Sequence, residues 1–144
     1  MWDDIADGLA ADYTVIRYDM LGHGESSKPV GTLSLYSFMH QLVLLQQYFR
    51  MQQFALVGFS MGALVAQAYA LSQGEHLSRL VLLHGVYDRN AEQRAGVRSR
   101  VQQAIEDGPA AIIDAAISRW FTPDFQAANP AAIDRVRARL EANQ

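Results

Sequence analysis

The sequence predicts an α/β fold with a mostly parallel sheet and flanking helices, followed by a part made of helices alone. Over residues 1–87, short β-branched or apolar runs alternate with helical runs, which is the pattern of strands joined by crossover helices. After Leu83, no further strand-like run is visible. The 144 residues are 50% apolar and 19% charged, which is typical of a globular chain with a sizeable core.

The first two predicted elements are a helix and a strand that runs into a loop. Trp2 and Leu9, with the apolar residues between them, recur at helical spacing, so we expect an amphipathic helix over residues 2–11. The β-branched and aromatic run at 13–18 predicts a strand that ends at Asp19, before a glycine-rich loop.

Two helices and two buried strands follow in the first part. Ser34 is a candidate N-cap for a helix over about residues 35–50. Short, fully apolar strands are typical of a parallel sheet that is covered on both faces. The remaining predicted elements are a strand at 54–57, a helix at 61–73 that stops at Gly74, and a strand at 80–83.

Residues 88–144 are predicted to form three helices. The first covers 91–106 and is closed by Gly108 and Pro109. Pro109 suits the first position of the second helix, at about 109–120. The third begins with Asn129 as N-cap and runs to about residue 142.

The strongest chemical signal is Gly58-Phe59-Ser60-Met61-Gly62, which lies directly between a predicted strand and a predicted helix. A G-x-S-x-G nucleophile elbow requires this context, because its strained turn exposes a serine at the helix N-terminus. Ser60 is therefore the predicted nucleophile, and the backbone N–H of Met61 is a predicted oxyanion donor. The alternative is that Ser60 only caps the helix.

A second motif, Tyr18-Asp19-Met20-Leu21-Gly22-His23-Gly24-Glu25-Ser26, lies upstream. With it, most of the chain resembles the α/β-hydrolase family, whose members carry a D-x-x-G-x-G-x-S loop. Arg119-Trp120-Phe121-Thr122-Pro123 and the helices around it resemble the cap of the 3-oxoadipate enol-lactonase-like branch. The resemblance implies a partial hydrolase core at 1–87 and a partial helical cap at 88–144. Trp120 and Phe121 would then line the substrate pocket, or else belong to the core.

The resemblance also implies a mechanism in which serine attacks an ester or lactone carbonyl, histidine takes its proton and a carboxylate orients the histidine. In this fold the chain order is serine, acid, histidine. The sequence departs from that order, since its histidines are His23, His40, His76 and His84, and none follows residue 84. His84 could approach the site, although the family does not place the base there. Asp88 is a candidate acid, or else a helix cap or a solvated loop residue.

The other oxyanion donor of the family comes from a His-Gly loop after an earlier strand, and no such segment precedes Trp2. In the family's sheet that strand lies between the strands predicted here at 14–18 and 54–57, so its absence leaves unpaired edges on both. We therefore expect a fragment of a serine hydrolase that is inactive by itself. The alternatives are a non-catalytic ligand-binding module, or one half of a two-chain hydrolase.

The resemblance implies a small-molecule ester or lactone as the substrate, and the composition indicates no nucleic-acid or membrane partner. The net charge of −3 does not indicate nucleic-acid binding, and no apolar run is long enough to span a membrane. The acidic start resembles no signal peptide and there is no cysteine, so the expected location is the cytoplasm. Neither a cofactor nor a metal is expected, since Gly22 and Gly24 lack the third glycine of a dinucleotide motif and no residues show metal-ligand spacing near Ser60.

Overall fold

In the computed structural model, which describes residues 2–142, the chain divides into two compact units. The boundary in the sequence falls between Val86 and Tyr87. The first unit contains helices and a two-stranded sheet, and the described part of the second contains helices only.

The first unit is built around a β-α-β arrangement. Strands β1 and β2 are parallel, with Val57 opposite Val81 and Phe59 opposite Leu83, and the register is irregular between Phe54 and Ala55. The elements are α1 (Asp3–Leu9), α2 (Leu35–Tyr48), β1 (Phe54–Phe59), α3 (Met61–Gln73), a 3-10 turn (Gly74–His76) and β2 (Leu77–Leu83). The predicted helices and the two apolar strands of this unit are therefore present, although α1 is shorter than expected.

Helix α2 begins and ends at well-formed caps. The Ser34 hydroxyl accepts from the N–H of Ser37, whose own hydroxyl accepts from the N–H of Ser34, so two otherwise unpaired donors are satisfied. At the other end Arg50 adopts a left-handed conformation, with φ of 52°. The N–H of Met51 donates to Gln46 O at 3.0 Å, as in a Schellman motif.

The core of the first unit lies around α3, which packs against α2, β1 and β2. Its buried face carries Ala63, Val65, Ala66 and Tyr69. The Tyr69 ring is 5.7 Å from the ring of Phe54, centre to centre. This packing fixes the start of α3 relative to the end of β1, where the predicted elbow lies.

The strand predicted at 13–18 is not formed. Residues 14–18 contain no helix, turn or bend, yet they join no sheet of the described chain. The side chains of Tyr13, Val15 and Ile16 are exposed. β-forming residues become a strand only when a neighbour accepts and donates the ladder hydrogen bonds, and no neighbouring strand is present here.

The second unit, described over residues 87–142, has four α-helices in that range: α4 (Ala91–Asp107), α5 (Ile113–Trp120), α6 (Pro123–Ala128) and α7 (Pro130–Glu141). Asn90 caps α4, since its side chain accepts from the N–H of Gln93 at 2.9 Å. Ile113, Ala116 and Ile117 of α5 are buried, and α5 packs against α7.

Three details of this unit differ from the prediction. The helix expected from Pro109 starts as a 3-10 turn over Pro109–Ile112. Helix α6, capped by the Thr122 hydroxyl, was not predicted, because six residues are too few for a periodic pattern. Asn129 does not cap α7, since its side-chain amide donates backwards to Phe125 O at 3.1 Å.

Candidate active site

The turn between β1 and α3 forces Ser60 into a strained backbone conformation. Its φ is 53° and its ψ is −114°, in a region that residues with a side chain rarely occupy. The N–H of Ser60 donates to Leu83 O at 2.9 Å, which ties the turn to the end of β2. Strain held in place by surrounding structure is common at functional sites.

Gly58 allows this turn for a steric reason. A Cβ atom at this position would lie 2.3 Å from Gly62 O and 2.8 Å from Ala63 Cα, both of which are backbone atoms. The same does not hold at Gly62. There, the only described atoms within 4 Å of an added Cβ belong to its chain neighbours or to the backbone of its own helix. The close approach of β1 and α3 therefore requires glycine at position 58 but not at position 62.

The Ser60 side chain does not act as a helix cap. Its hydroxyl accepts no hydrogen bond from the first turn of α3, although Ser60 occupies the N-cap position. The residue is half-buried at a helix N-terminus, where free N–H groups and the helix dipole favour negative charge. The capping alternative is therefore wrong for this serine, and its oxygen stays free of the backbone.

Met61 is the first residue of α3, so its N–H has no partner within the helix. Its side chain is 38% exposed, and the turn lies at the surface of the first unit. Next to Ser60, this N–H is therefore available to an acceptor that is not part of the helix.

Three of the four histidines contact a group other than Ser60, and the fourth is exposed on α2. His23 Nδ1 lies 3.0 Å from Leu21 O, and His76 Nδ1 lies 3.2 Å from Gln52 O. His40 is exposed on α2. His84 directly follows β2 with a left-handed φ of 51°, and its ring stacks on Phe59 at 6.0 Å between centres.

The glycine-rich loop is held by one side chain that the sequence interpretation missed. Gln41 of α2 accepts from the N–H of Leu21 at 3.0 Å and donates to Asp19 O at 3.1 Å. Within the loop, the Asp19 carboxylate accepts from the N–H of Glu25 at 3.1 Å. The available signal was a glutamine next to Leu42 on the apolar face of a helix, where a polar side chain needs a partner.

The Asp19 carboxylate also explains a glycine of this loop. Gly24 has a φ of 49°, and a Cβ atom there would lie 2.1 Å from Asp19 Oδ2. Both the conformation and the space therefore require glycine.

The other predicted site residues lie in the second unit. Asp88 is exposed with a φ of 42°, and the cap of α4 is Asn90 instead. Trp120, at the end of α5, is 54% exposed, and the Phe121 ring stacks on Phe125 at 5.3 Å between centres. Their proposed roles as acid and pocket residues stay predictions.

Within residues 2–142, no three His, Asp or Glu side chains come together as ligands for a metal ion. No helix there has the length and apolar character that crossing a membrane requires.

Comparison with known proteins agrees with this geometry. A model of the α/β hydrolase fold family matches residues 1–122. The 3-oxoadipate enol-lactonase 2 of Acinetobacter baylyi is 29% identical over 136 residues, which make up 94% of this chain and 50% of the relative. A succinate-derivative hydrolase of the same organism, (E)-2-((N-methylformamido)methylene)succinate hydrolase, is 28% identical over 83% of this chain and 45% of its own length.

Solved structures of hydrolases share this fold. The enol-lactonase from Burkholderia xenovorans superposes with a TM-score of 0.88 at 25% identity, covering 96% of this chain and 53% of that one. A thermophilic esterase from Thermogutta terrifontis, at 24% identity, shares the fold with a TM-score of 0.86 over 96% of this chain and 52% of its own. The chain thus spans about half the length of the relatives it matches.

Proposed function

Because the chain belongs to the α/β hydrolase fold family, we propose that it carries the nucleophile of a serine hydrolase for carboxylic esters or lactones. The observation that carries the proposal is Ser60, strained at a φ of 53° on the strand-to-helix turn with its hydroxyl unused as a cap. The hydrolases among its relatives, which include enol-lactonases, support an ester or lactone as substrate.

In the proposed reaction, Ser60 Oγ attacks the carbonyl carbon and its proton passes to a base. The carbonyl oxygen becomes an anion that accepts from the N–H of Met61. The alcohol leaves with a proton, or in a lactone stays attached as the opened chain, and an acyl-enzyme remains on Ser60. Water then releases the acid and restores the hydroxyl.

The base and the second oxyanion donor are proposed to lie outside these 144 residues. This proposal is supported by the half-length match to the relatives, by the partners of His23, His76 and His84, and by the exposed position of His40 on α2. Asp88 stays the candidate acid. An acid of this kind is identified by its hydrogen bond to the catalytic histidine, and that histidine is proposed to lie outside the chain. We therefore expect negligible turnover from this chain alone.

Within this proposal residues 88–144 form part of a cap above the substrate, with Trp120 and Phe121 as pocket-lining side chains. Trp120 is 54% exposed, so its indole is accessible to a ligand. The enol-lactonase relatives favour a small lactone as the substrate.

The test is to incubate the chain with p-nitrophenyl acetate and to locate any acetyl group by mass spectrometry. An oxyanion donor and binding alone keep a fraction of the catalysis of a complete serine hydrolase. We expect slow, stoichiometric acetylation at Ser60 without steady-state turnover, and Ser60→Ala should abolish it. Ser72→Ala is the matched control, since Ser72 lies on the same helix with its hydroxyl bonded to Ala68 O.

Three results would count against parts of the proposal. Sustained turnover that disappears in Ser60→Ala would show that the chain is active without further residues. Acetylation spread equally over Ser60 and Ser72 would show that Ser60 is an ordinary serine. Saturable binding of an ester without any acetylation, unchanged in Ser60→Ala, would favour the alternative of a ligand-binding module.

A further inference from the structure

Methionines carry all the sulfur of the chain, since the sequence contains no cysteine. Within residues 2–142 these are Met20, Met39, Met51 and Met61. The first three are half-buried, whereas Met61 is exposed. The sulfur of Met39 also has a partner, since it accepts from the Ser72 hydroxyl at 3.3 Å. Oxidation requires that the oxidant reaches the sulfur, so Met61 is the described methionine that is most open to it.

The position of Met61 in the helix determines where its side chain extends. The Cα–Cβ bonds of an α-helix tilt toward its N-terminus, and long side chains lie back over the preceding turn. Met61 is the first residue of α3, so no helical turn precedes it. Its thioether therefore extends past the start of the helix, on the side where Ser60 and the free N–H groups of the first turn lie.

Two of those N–H groups are open to an acceptor. The N–H of Ala63 donates to Ser60 O at 3.0 Å. In the part of the chain that the structure describes, no hydrogen bond from the N–H of Met61 or of Gly62 is present, and the Ser60 side chain accepts none. An acceptor oxygen carried on the Met61 side chain would therefore find donors beside its own backbone.

We propose that Met61 is a site of oxidation by hydrogen peroxide, and that its sulfoxide oxygen then accepts from the N–H of Met61 or Gly62. In the reaction, the sulfur lone pair attacks one peroxide oxygen and the O–O bond breaks. The other oxygen leaves as hydroxide, which takes the remaining proton and becomes water. The sulfur loses two electrons and the peroxide gains two, so the products are one sulfoxide and one water.

The modification replaces an apolar thioether with a polar acceptor next to the nucleophile. An intramolecular hydrogen bond of ordinary strength leaves the N–H free in about a third to a tenth of the molecules. Because the N–H of Met61 is the proposed oxyanion donor, acylation of Ser60 should slow by about three- to tenfold. This effect on acylation rests on the proposed function, whereas the oxidation and the new hydrogen bond do not.

The test treats the whole chain with hydrogen peroxide and follows each methionine by peptide mass spectrometry. We expect the sulfoxide of Met61 to form at least about threefold faster than those of Met20, Met39 and Met51. In the oxidised chain, hydrogen exchange followed by NMR should be about three- to tenfold slower at the amide of Met61 or Gly62. Acetylation of Ser60 by p-nitrophenyl acetate should fall by a similar factor.

Met61→Leu and Met39→Leu form a matched pair of variants, because leucine has a similar volume and no sulfur. Each variant is compared with its own untreated sample. We expect peroxide to change the acetylation rate of Met61→Leu by less than about twofold, and to slow Met39→Leu as it slows the unchanged chain. Methionine sulfoxide reductases for both epimers, with a dithiol as the reductant, should restore the unchanged chain.

Three outcomes would overturn the inference: oxidation of another described methionine before Met61, no slowing of amide exchange at Met61 and Gly62 after oxidation, or equal loss of acetylation in Met61→Leu and the unchanged chain. If the untreated chain is not acetylated at Ser60, the proposed nucleophile fails, while the order of oxidation and the amide exchange still decide this inference. The same two measurements on the unchanged chain decide it if Met61→Leu does not fold.

Discussion

Gly58 and Gly62 lie at equal distances from Ser60, but their surroundings differ. Gly58→Ala places a methyl group 2.3 Å from Gly62 O, so β1 and α3 must move apart. We expect the free energy of unfolding to fall by about 2–3 kcal/mol, measured by urea denaturation. Gly62→Ala is the control, and it should leave stability unchanged or raise it by about 0.5 kcal/mol, because alanine favours the helix. Equal losses in both variants would contradict the elbow geometry.

Tyr69 is fully buried, and its hydroxyl has no hydrogen-bond partner among the described residues. An unsatisfied buried hydroxyl costs stability, whereas the ring packs against Phe54. Tyr69→Phe keeps the ring and removes the hydroxyl. We expect the free energy of unfolding at neutral pH to rise by about 1 kcal/mol. A loss of stability in this variant would show that the hydroxyl has a partner.

The pKa of Tyr69 predicts how the stability of the chain depends on pH. Burial raises the pKa of Tyr69, and the charge of Glu75 raises it further. Folding therefore favours the neutral phenol, and this contribution is complete below the unfolded pKa of about 10 and is lost as the pH rises through the folded pKa. Urea denaturation on both sides of about pH 10 should show the unchanged chain losing more stability than Tyr69→Phe. Parallel curves would contradict the raised pKa.

At the scale of elements, the contact between α2 and the glycine-rich loop depends on Gln41. Gln41→Ala leaves the N–H of Leu21 and the carbonyl of Asp19 without this partner. We expect a loss of about 1–3 kcal/mol in unfolding free energy and faster hydrogen exchange at the Leu21 amide. Gln47→Ala, on the exposed side of the same helix, should change neither quantity by more than about 0.5 kcal/mol. An unchanged exchange rate at the Leu21 amide would show that the glycine-rich loop keeps its structure without Gln41.

Local chemistry explains which elements could be predicted from the sequence. The cap at Ser34 and the apolar runs at β1 and β2 each carry their own signal, and all three are present. Residues 13–18 have an equally clear β-forming pattern. A strand also needs a neighbouring strand to pair with, and the sequence of these six residues does not show whether one is present. Asn129 does not cap α7, and its side-chain amide donates to Phe125 O in the preceding helix instead.

The elbow could be predicted from its pattern because strand, turn and helix are consecutive in the chain. Gln41 could not, since its partners at Asp19 and Leu21 lie about twenty residues away and only the fold brings them together. The cavity of about 640 Å³ in the first unit has the same origin, because residues 13–18 and 53–57 line it together although they are far apart in sequence. Motifs that are local in sequence were therefore found, and contacts between distant segments were not.

At the scale of the whole molecule, three observations point to one interpretation. The first unit holds a strained serine turn, an open edge on β1 and an unpaired segment at 13–18. The chain belongs to the α/β hydrolase fold family and spans about half the length of the relatives it matches. A proposed hydrolase whose nucleophile lies here, and whose base and pairing strand lie elsewhere, accounts for all three.

The most direct test of that account joins this chain to the half of Acinetobacter enol-lactonase 2 that it does not match, and measures ester hydrolysis by the assembled protein. We predict turnover that Ser60→Ala lowers by at least about a thousandfold, while Ser72→Ala retains it. Size-exclusion chromatography would establish assembly. An assembled protein that hydrolyses no ester, or whose turnover is indifferent to Ser60→Ala, would contradict the account.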